Sequence, residues 1–195
     1  MSDWVATAEA MSMRLTERLQ LLLRGVCLAG LICSGILTSN VQAERGSHIT
    51  LDEPLPQPAW ELPLIANGEG TLSDSTYLGR VTYVDFWASW CGPCRLSLPA
   101  LNRLSKEFDA ADFSVVAISV DYVDEDALDF LKRYPVDYPV AIDKTGNSGR
   151  DFSVAGMPSG YLIDRDGLIR EVHVGFRKGD EALLREQIQA LIDDS

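Results

Sequence analysis

Histidine, basic charge and long apolar runs are all scarce in this chain of 195 residues, and each scarcity excludes something. The two histidines, His48 and His173, have no ligand spacing, so the sequence offers no histidine-built metal centre. Lys and Arg total 17 against 29 Asp and Glu, a net charge of −12. Nucleic-acid binding needs a basic footprint, which this acidic chain lacks. The apolar run Gly25–Thr38 falls short of the roughly 20 residues that span a bilayer. Cysteine is confined to four positions, Cys27, Cys33, Cys91 and Cys94. No internal repeat or low-complexity tract is present. With 46% hydrophobic residues and 24% charged, the composition fits one globular domain plus a leader.

The leader reads from Arg14, Arg18 and Arg24 into the charge-free run Gly25–Thr38, then Ser39-Asn40-Val41-Gln42-Ala43. A basic stretch, an apolar stretch and a small-residue V-x-A site describe a signal peptide over residues 1–43, cleaved after Ala43. Its retention as an uncleaved anchor is the alternative, and the only membrane contact the sequence implies. Asp3 and Glu9 suit no basic leader, which points to Met11 or Met13 as the true start. Residues 44–58, polar and carrying Pro54, Pro56 and Pro58, read as an extended linker.

Residues 59–195 then form the domain. Trp60–Ile65 has the pattern of a short strand, and 72–78 that of an irregular or short-strand segment. Val81–Trp87 is a continuous apolar and aromatic run fitting a buried central strand. Leu98, Leu101, Leu104 and Phe108 recur at helical spacing over Arg95–Phe108, with Pro99 inside. Phe113–Val120 reads as a second buried strand. A helix follows over Asp124–Arg133, with acids at its start and bases at its end. Tyr138–Ile142 is a short strand and 146–152 a short helix or turn. Gly160–Asp164 and Leu168–Val174 are a hairpin about Arg165-Asp166-Gly167. The last helix runs from Asp180 to Ile192. This order requires a mixed central sheet with helices on both faces.

Between the first buried strand and its helix lies Trp90-Cys91-Gly92-Pro93-Cys94. Two cysteines at this spacing are within disulfide reach at a helix N-terminus. There the first meets unpaired N–H groups and the positive end of the helix dipole. Both favour thiolate, the nucleophile of disulfide exchange. As a staple the pair has little value: a ring this small contributes roughly 2 kcal/mol, against about 4–5 for a 100-residue loop. As a zinc half-site it lacks the further ligands. Gly92 and Pro93 permit the turn and the helix start. Asp85 is a carboxylate inside a run that should be buried, so its pKa should rise; an inert acid at a strand edge is the alternative. Arg95 and His173 read as surface residues, and Trp87 as core.

The segment Val84-Asp-Phe-Trp-Ala-Ser-Trp-Cys-Gly-Pro-Cys, Pro99 five residues after the second cysteine, and Met157-Pro158 before a hairpin together resemble the thioredoxin superfamily. Gly156-Met-Pro-Ser-Gly-Tyr-Leu-Ile-Asp-Arg-Asp-Gly and the leader resemble its TlpA/ResA-type exported thiol–disulfide reductases. The resemblance implies an α/β thioredoxin-like fold with extra N-terminal strands and an insertion before the short central helix. It implies Cys91 as attacking thiol, Cys94 as resolving thiol and Asp85 as the buried acid that moves the proton of Cys94. It further implies a cis Met157–Pro158 bond, Trp90 as a wall of the reactive sulfur, and substrate contacts at Trp90, Gly92, Pro93, Met157 and Pro158. No basic partner for Asp85 is evident, and Ser159-Gly160 departs from the commoner residues after that proline. The implied protein is periplasmic and reduces protein disulfides. It uses no cofactor beyond the Cys91–Cys94 disulfide and takes electrons from an inner-membrane thiol donor, with cytochrome c biogenesis among its settings. A CGPC pair is the thioredoxin type, with a potential of about −270 mV rather than the oxidising type at about −120 mV.

Three rivals compete with this reading. A peroxiredoxin needs a proline and a hydroxyl where this chain has Val84 and Ala88. A copper-binding assembly factor would use both thiolates plus His173. An oxidase or isomerase could share the same fold. The leader reading carries its own test: N-terminal sequencing of the exported protein should begin at Glu44, and a mature start well upstream contradicts cleavage there.

Overall fold

The computed structural model describes residues 47–194, which lie in one compact unit. The leader reading of residues 1–43 falls outside them. The elements are β1 (Ser47–Pro56), β2 (Glu61–Ala66), β3 (Thr71–Ser73), a 3₁₀ turn (Asp74–Tyr77), β4 (Val81–Trp87), α1 (Cys94–Glu107), β5 (Phe113–Ser119), α2 (Asp124–Arg133), β6 (Val140–Ile142), α3 (Asn147–Asp151), β7 (Ser159–Ile163), β8 (Leu168–Val174) and α4 (Asp180–Asp193). Among the described residues the strands form one eight-stranded sheet in the order β1-β8-β7-β4-β5-β6-β2-β3. No helix among them is long and apolar enough to cross a membrane.

The linker assigned to residues 44–58 is a correction. Residues 47–56 are strand β1, antiparallel to β8, with His48 opposite His173 and a register shift between Thr50 and Leu55. The prolines misled because the strand lies on the sheet's edge, where a missing N–H costs no ladder bond. The extra strands thus cover both edges: β1 beside β8, and β2 with β3 beside β6. The insertion is α2 with β6, which pairs parallel to β5 and antiparallel to β2.

Every residue of β4 is buried, with the cysteine-bearing cluster packed on one face and Trp60, Tyr77 and Phe152 on the other. Alternation divides it. Tyr83 and Trp87 join the cluster that holds Cys91, Cys94, Leu98, Leu101, Phe130, Leu184 and Ile188. Val84 and Phe86 join Trp60, Tyr77, Phe152 and Tyr161 on the opposite face. Asp85 shares the parity of Tyr83 and Trp87, so it faces the cysteine-bearing side. Helix α1 continues through Pro99 and buries Leu98, Leu101 and Leu104, each worth roughly 1.5–3 kcal/mol. In the β7–β8 hairpin Asp164 Oδ1 accepts from the N–H groups of Asp166 (3.0 Å) and Leu168 (2.9 Å), and Gly167 takes the required positive φ.

Gly160 on β7 has no room for a side chain: a Cβ there would lie 1.8 Å from Tyr83 Oη and 2.1 Å from its Cζ. Gly160→Ala should therefore destabilise the protein by about 1–3 kcal/mol in urea unfolding. Because the ring carbon also collides, Tyr83→Phe should not rescue it, and a full rescue contradicts this packing.

Candidate active site

The parallel strands β4 and β5 end at the same edge where antiparallel β7 begins. Phe86 is opposite Ser159, so the next residues outward, Trp87 and Pro158, flank the same point. From there the chain runs Ala88 to Cys91 and into α1 at Cys94. The Cys91 N–H donates to Ala88 O at 3.0 Å, which fixes the turn. A second tie comes from Asp121 at the end of β5. Its carboxylate accepts from Ser89 N–H (2.9 Å), Ser89 Oγ (2.8 Å) and Ser119 Oγ (2.8 Å). Two loop segments are thereby clasped beneath the cysteines. Sequence reasoning missed Asp121; its place directly after a buried strand, two residues past a serine, is the signal that could have found it.

Cys91 and Cys94 form a disulfide, with Cα atoms 5.4 Å apart. Cys94 is wholly buried, and Cys91 is 4% exposed. Cys94 is the first residue of α1, and its N–H donates to Cys91 Sγ at 3.2 Å. This is one of the orphan donors of a helix start, aimed at the sulfur that carries the thiolate once the bond opens. Trp90 is 70% exposed, so its ring stands in solvent beside the cysteine. Gly92 is partly exposed and Pro93, the helix N-cap, exposed. The Met157–Pro158 bond is cis; Pro158 is buried, and Met157 packs against both core clusters. Arg95 is exposed, its Nε donating to Gly92 O at 3.0 Å.

Asp85 is only 1% exposed and lies in the sheet's interior, which removes the edge-acid alternative. Its Oδ2 has no hydrogen-bond partner, and burial holds its pKa well above the ordinary carboxylate value. Trp87 is core, its ring tilted against that of Phe130 with centroids 5.2 Å apart. His173 corrects the surface reading. Its Nδ1 lies 3.2 Å from Tyr83 Oη and its Nε2 3.1 Å from Gln187 Oε1, and burial followed by the nearby His48 lowers its pKa to about 4. Both ring nitrogens thus have hydrogen-bond partners. Among the described residues no three His, Cys, Asp or Glu side chains converge as a metal site. A cavity of about 460 Å³ lies between β2 and α3, lined by Trp60, Glu61, Asp143 and Ser148, and touches neither cysteine.

A family model described as Redoxin matches residues 52–188. The chain belongs to the redoxin family. Within it the chain is of the TlpA/ResA type of the thioredoxin superfamily. It is 32% identical over 137 residues to the thioredoxin-like protein YneN of Bacillus subtilis, covering 69% of this chain and 78% of that one. To the thiol:disulfide interchange protein DsbE of Pseudomonas fluorescens it is 34% identical over 147 residues, 72% of this chain and 78% of that one. A Chlorobium tepidum crystal structure assigned to DsbE superposes with a TM-score of 0.68 at 41% identity, covering 73% of this chain and 99% of that one. The redoxin-type core thus extends upstream of β2, into the β1 segment.

The raised pKa of Asp85 has a stability consequence. Its folded value exceeds the unfolded 3.8, so above that pH the unfolded chain binds fewer protons than the native one and stability falls as pH rises. Asp85→Asn should remove the penalty. In urea unfolding of the oxidised protein it should stabilise at pH 7 and lose that gain as pH falls below about 4, where both states are protonated. An equal effect at both pH values contradicts the raised pKa.

Proposed function

We propose that this redoxin is an exported thiol–disulfide oxidoreductase that reduces disulfides of other exported proteins. The observation that carries the reading is the Cys94 N–H directed at Cys91 Sγ at the start of α1, together with a buried Asp85 whose Oδ2 has no partner.

In the reduced protein the Cys91 thiolate attacks one sulfur of a substrate disulfide. A Cys91–substrate bond forms, the substrate S–S bond breaks, and one substrate thiolate leaves and takes a proton from solvent. The Cys94 thiol then gives its proton to the Asp85 carboxylate and attacks Cys91 Sγ. The Cys91–Cys94 bond forms and the second substrate thiolate departs. Two electrons pass from the dithiol to the substrate, and the chain needs no organic cofactor. Trp90, Gly92, Pro93, Met157 and Pro158 would meet the substrate backbone: the first three adjoin the cysteines along the chain, and Met157-Pro158 directly precede Ser159, which is opposite Phe86 near the end of β4. An inner-membrane thiol carrier would return the electrons in a periplasmic setting. The CGPC pair favours reduction over oxidation, and the interchange proteins among the relatives support exchange chemistry.

The test is turnover of insulin disulfides with a thiol regenerant. Cys91→Ser should abolish it. Cys94→Ser should form mixed disulfides with the substrate, visible by mass spectrometry and released by dithiothreitol. Normal turnover in either variant contradicts the mechanism.

A further inference from the structure

The step that protonates Asp85 leaves a proton in the interior, and the structure contains one polar row that reaches it. Strand register sets Asp85 of β4 opposite Gly160 of β7, Gly160 opposite His173 of β8, and His173 opposite His48 of β1. Directly paired residues point to the same face, so these four positions form a line beneath α1 and α4 on the side that carries the cysteines. Gly160 contributes no side chain to this line. Its place is taken by Tyr83, whose hydroxyl lies 1.8 Å from where a Gly160 Cβ would stand. The tyrosine hydroxyl is therefore inserted between Asp85 and His173. On one side it is hydrogen-bonded to His173 Nδ1 at 3.2 Å. On the other side is Asp85, whose Oδ2 has no partner. Facing side-chain sites on paired strands are about 4.5–5.5 Å apart, which sets Asp85 beside the hydroxyl, and the charge of Asp85 acts on Tyr83.

The row continues outward. His173 Nε2 is 3.1 Å from Gln187 Oε1 of α4. The amide nitrogen of Gln187 meets His48 Nε2, which lies 2.8 Å from Glu171 Oε2. His48 stacks on His173 at 4.8 Å. His173 and His48 are both partly exposed, so the row ends at solvent along β1. The other titratable groups facing it are Tyr138, tied to Leu98 O at 3.2 Å, and Asp180 of α4, whose charge acts on Tyr83. Neither lies between Asp85 and the surface in this register. Among the described residues no basic side chain partners Asp85, and the row is a polar connection from that carboxyl toward the surface.

We propose that Tyr83 and His173 form the proton path between Asp85 and solvent, with Gly160 as the position that keeps it open. The proposal rests on the assignment of Asp85 as the acceptor of the Cys94 proton. As Asp85 releases its proton to Tyr83 Oη, the hydroxyl proton of Tyr83 moves to His173 Nδ1. The imidazolium so formed, partly exposed, gives its Nε2 proton to water as that N–H leaves Gln187 Oε1. One proton leaves the interior, one enters solvent, and no electron moves. A site with low proton affinity suits this transient role, and the burial of His173 supplies it. Reduction of the disulfide runs the same path inward.

The test is single-turnover oxidation of the reduced protein by hydroxyethyl disulfide, followed in stopped flow across about pH 5–9. Tyr83→Phe keeps the ring and removes the hydroxyl. His173→Asn keeps an acceptor near the Nδ1 position but cannot carry a proton. Asp85→Asn removes the acceptor itself. Each of the first two should slow the reaction about tenfold or more at pH 7, toward the level of Asp85→Asn, as expected for lost proton transfer, and should flatten the same limb of the pH profile. If Asp85→Asn changes the profile while Tyr83→Phe and His173→Asn keep the wild-type one, the path is overturned and the function stands. Slowing by one factor at every pH, with the profile intact, marks lost packing and also overturns it. If the wild type fails to react, or Asp85→Asn tracks the wild type, the underlying reading fails instead.

Discussion

The site depends on a backbone N–H pointed at a sulfur. Cys94 opens α1, its amide has no carbonyl to bond within the helix, and it faces Cys91 Sγ at 3.2 Å. The arrangement needs β4 to end at the sheet's edge and α1 to begin within a few residues of it. It also needs the intervening turn to be held still. The fully buried β4, the Asp121 clasp on Ser89 and the Cys91 N–H to Ala88 O bond meet those needs. A charge-assisted N–H bond to a thiolate contributes about 1.5–3 kcal/mol, or one to two pKa units, which is the scale needed to bring a thiol into its reactive form at neutral pH. The rest of the fold supplies the burial that keeps water from competing for that donor.

Three buried aspartates show what the protein does with charge. Asp121 and Asp143 are both nearly inaccessible, and both are saturated with donors. Burial pushes the pKa of Asp143 up, but bonds from Ser148 and Thr145 outweigh it, so the net shift is downward. These two are structural: one clasps the loops beneath the cysteines, the other starts α3. Asp85 is equally buried and has an oxygen left bare. An unpaired buried polar group costs about 1–3 kcal/mol, so Asp85 weakens the fold that carries it. That asymmetry separates the acid with a chemical task from the acids with a mechanical one.

Much of this was legible in the chain. Helix α2 appears with the same ends the charge pattern dictates, and β4 is where an unbroken apolar run places a central strand. The cysteine pair was readable because strand, turn and helix start are all local. Strand β1 was not readable: its prolines resemble a tether, and its partner β8 is more than a hundred residues away. His173 was misread for the same reason, since its burial comes from β1 and α4 rather than from its neighbours. The row from Asp85 to His48 depends on register across four strands, which no local pattern encodes. Gly160 was noted only as a departure after Pro158, and its meaning needed Tyr83 laid over it.

The central claim is that one sulfur, Cys91, is held as an anion near neutral pH while its neighbour is not. The direct measurement is the pH dependence of iodoacetamide alkylation of the reduced protein, resolved by cysteine in mass spectrometry. The account predicts that Cys91 reacts with an apparent pKa about one unit or more below the free-cysteine value near 8.5, while buried Cys94 stays unmodified until higher pH. Two thiols titrating together near 8.5 would contradict it.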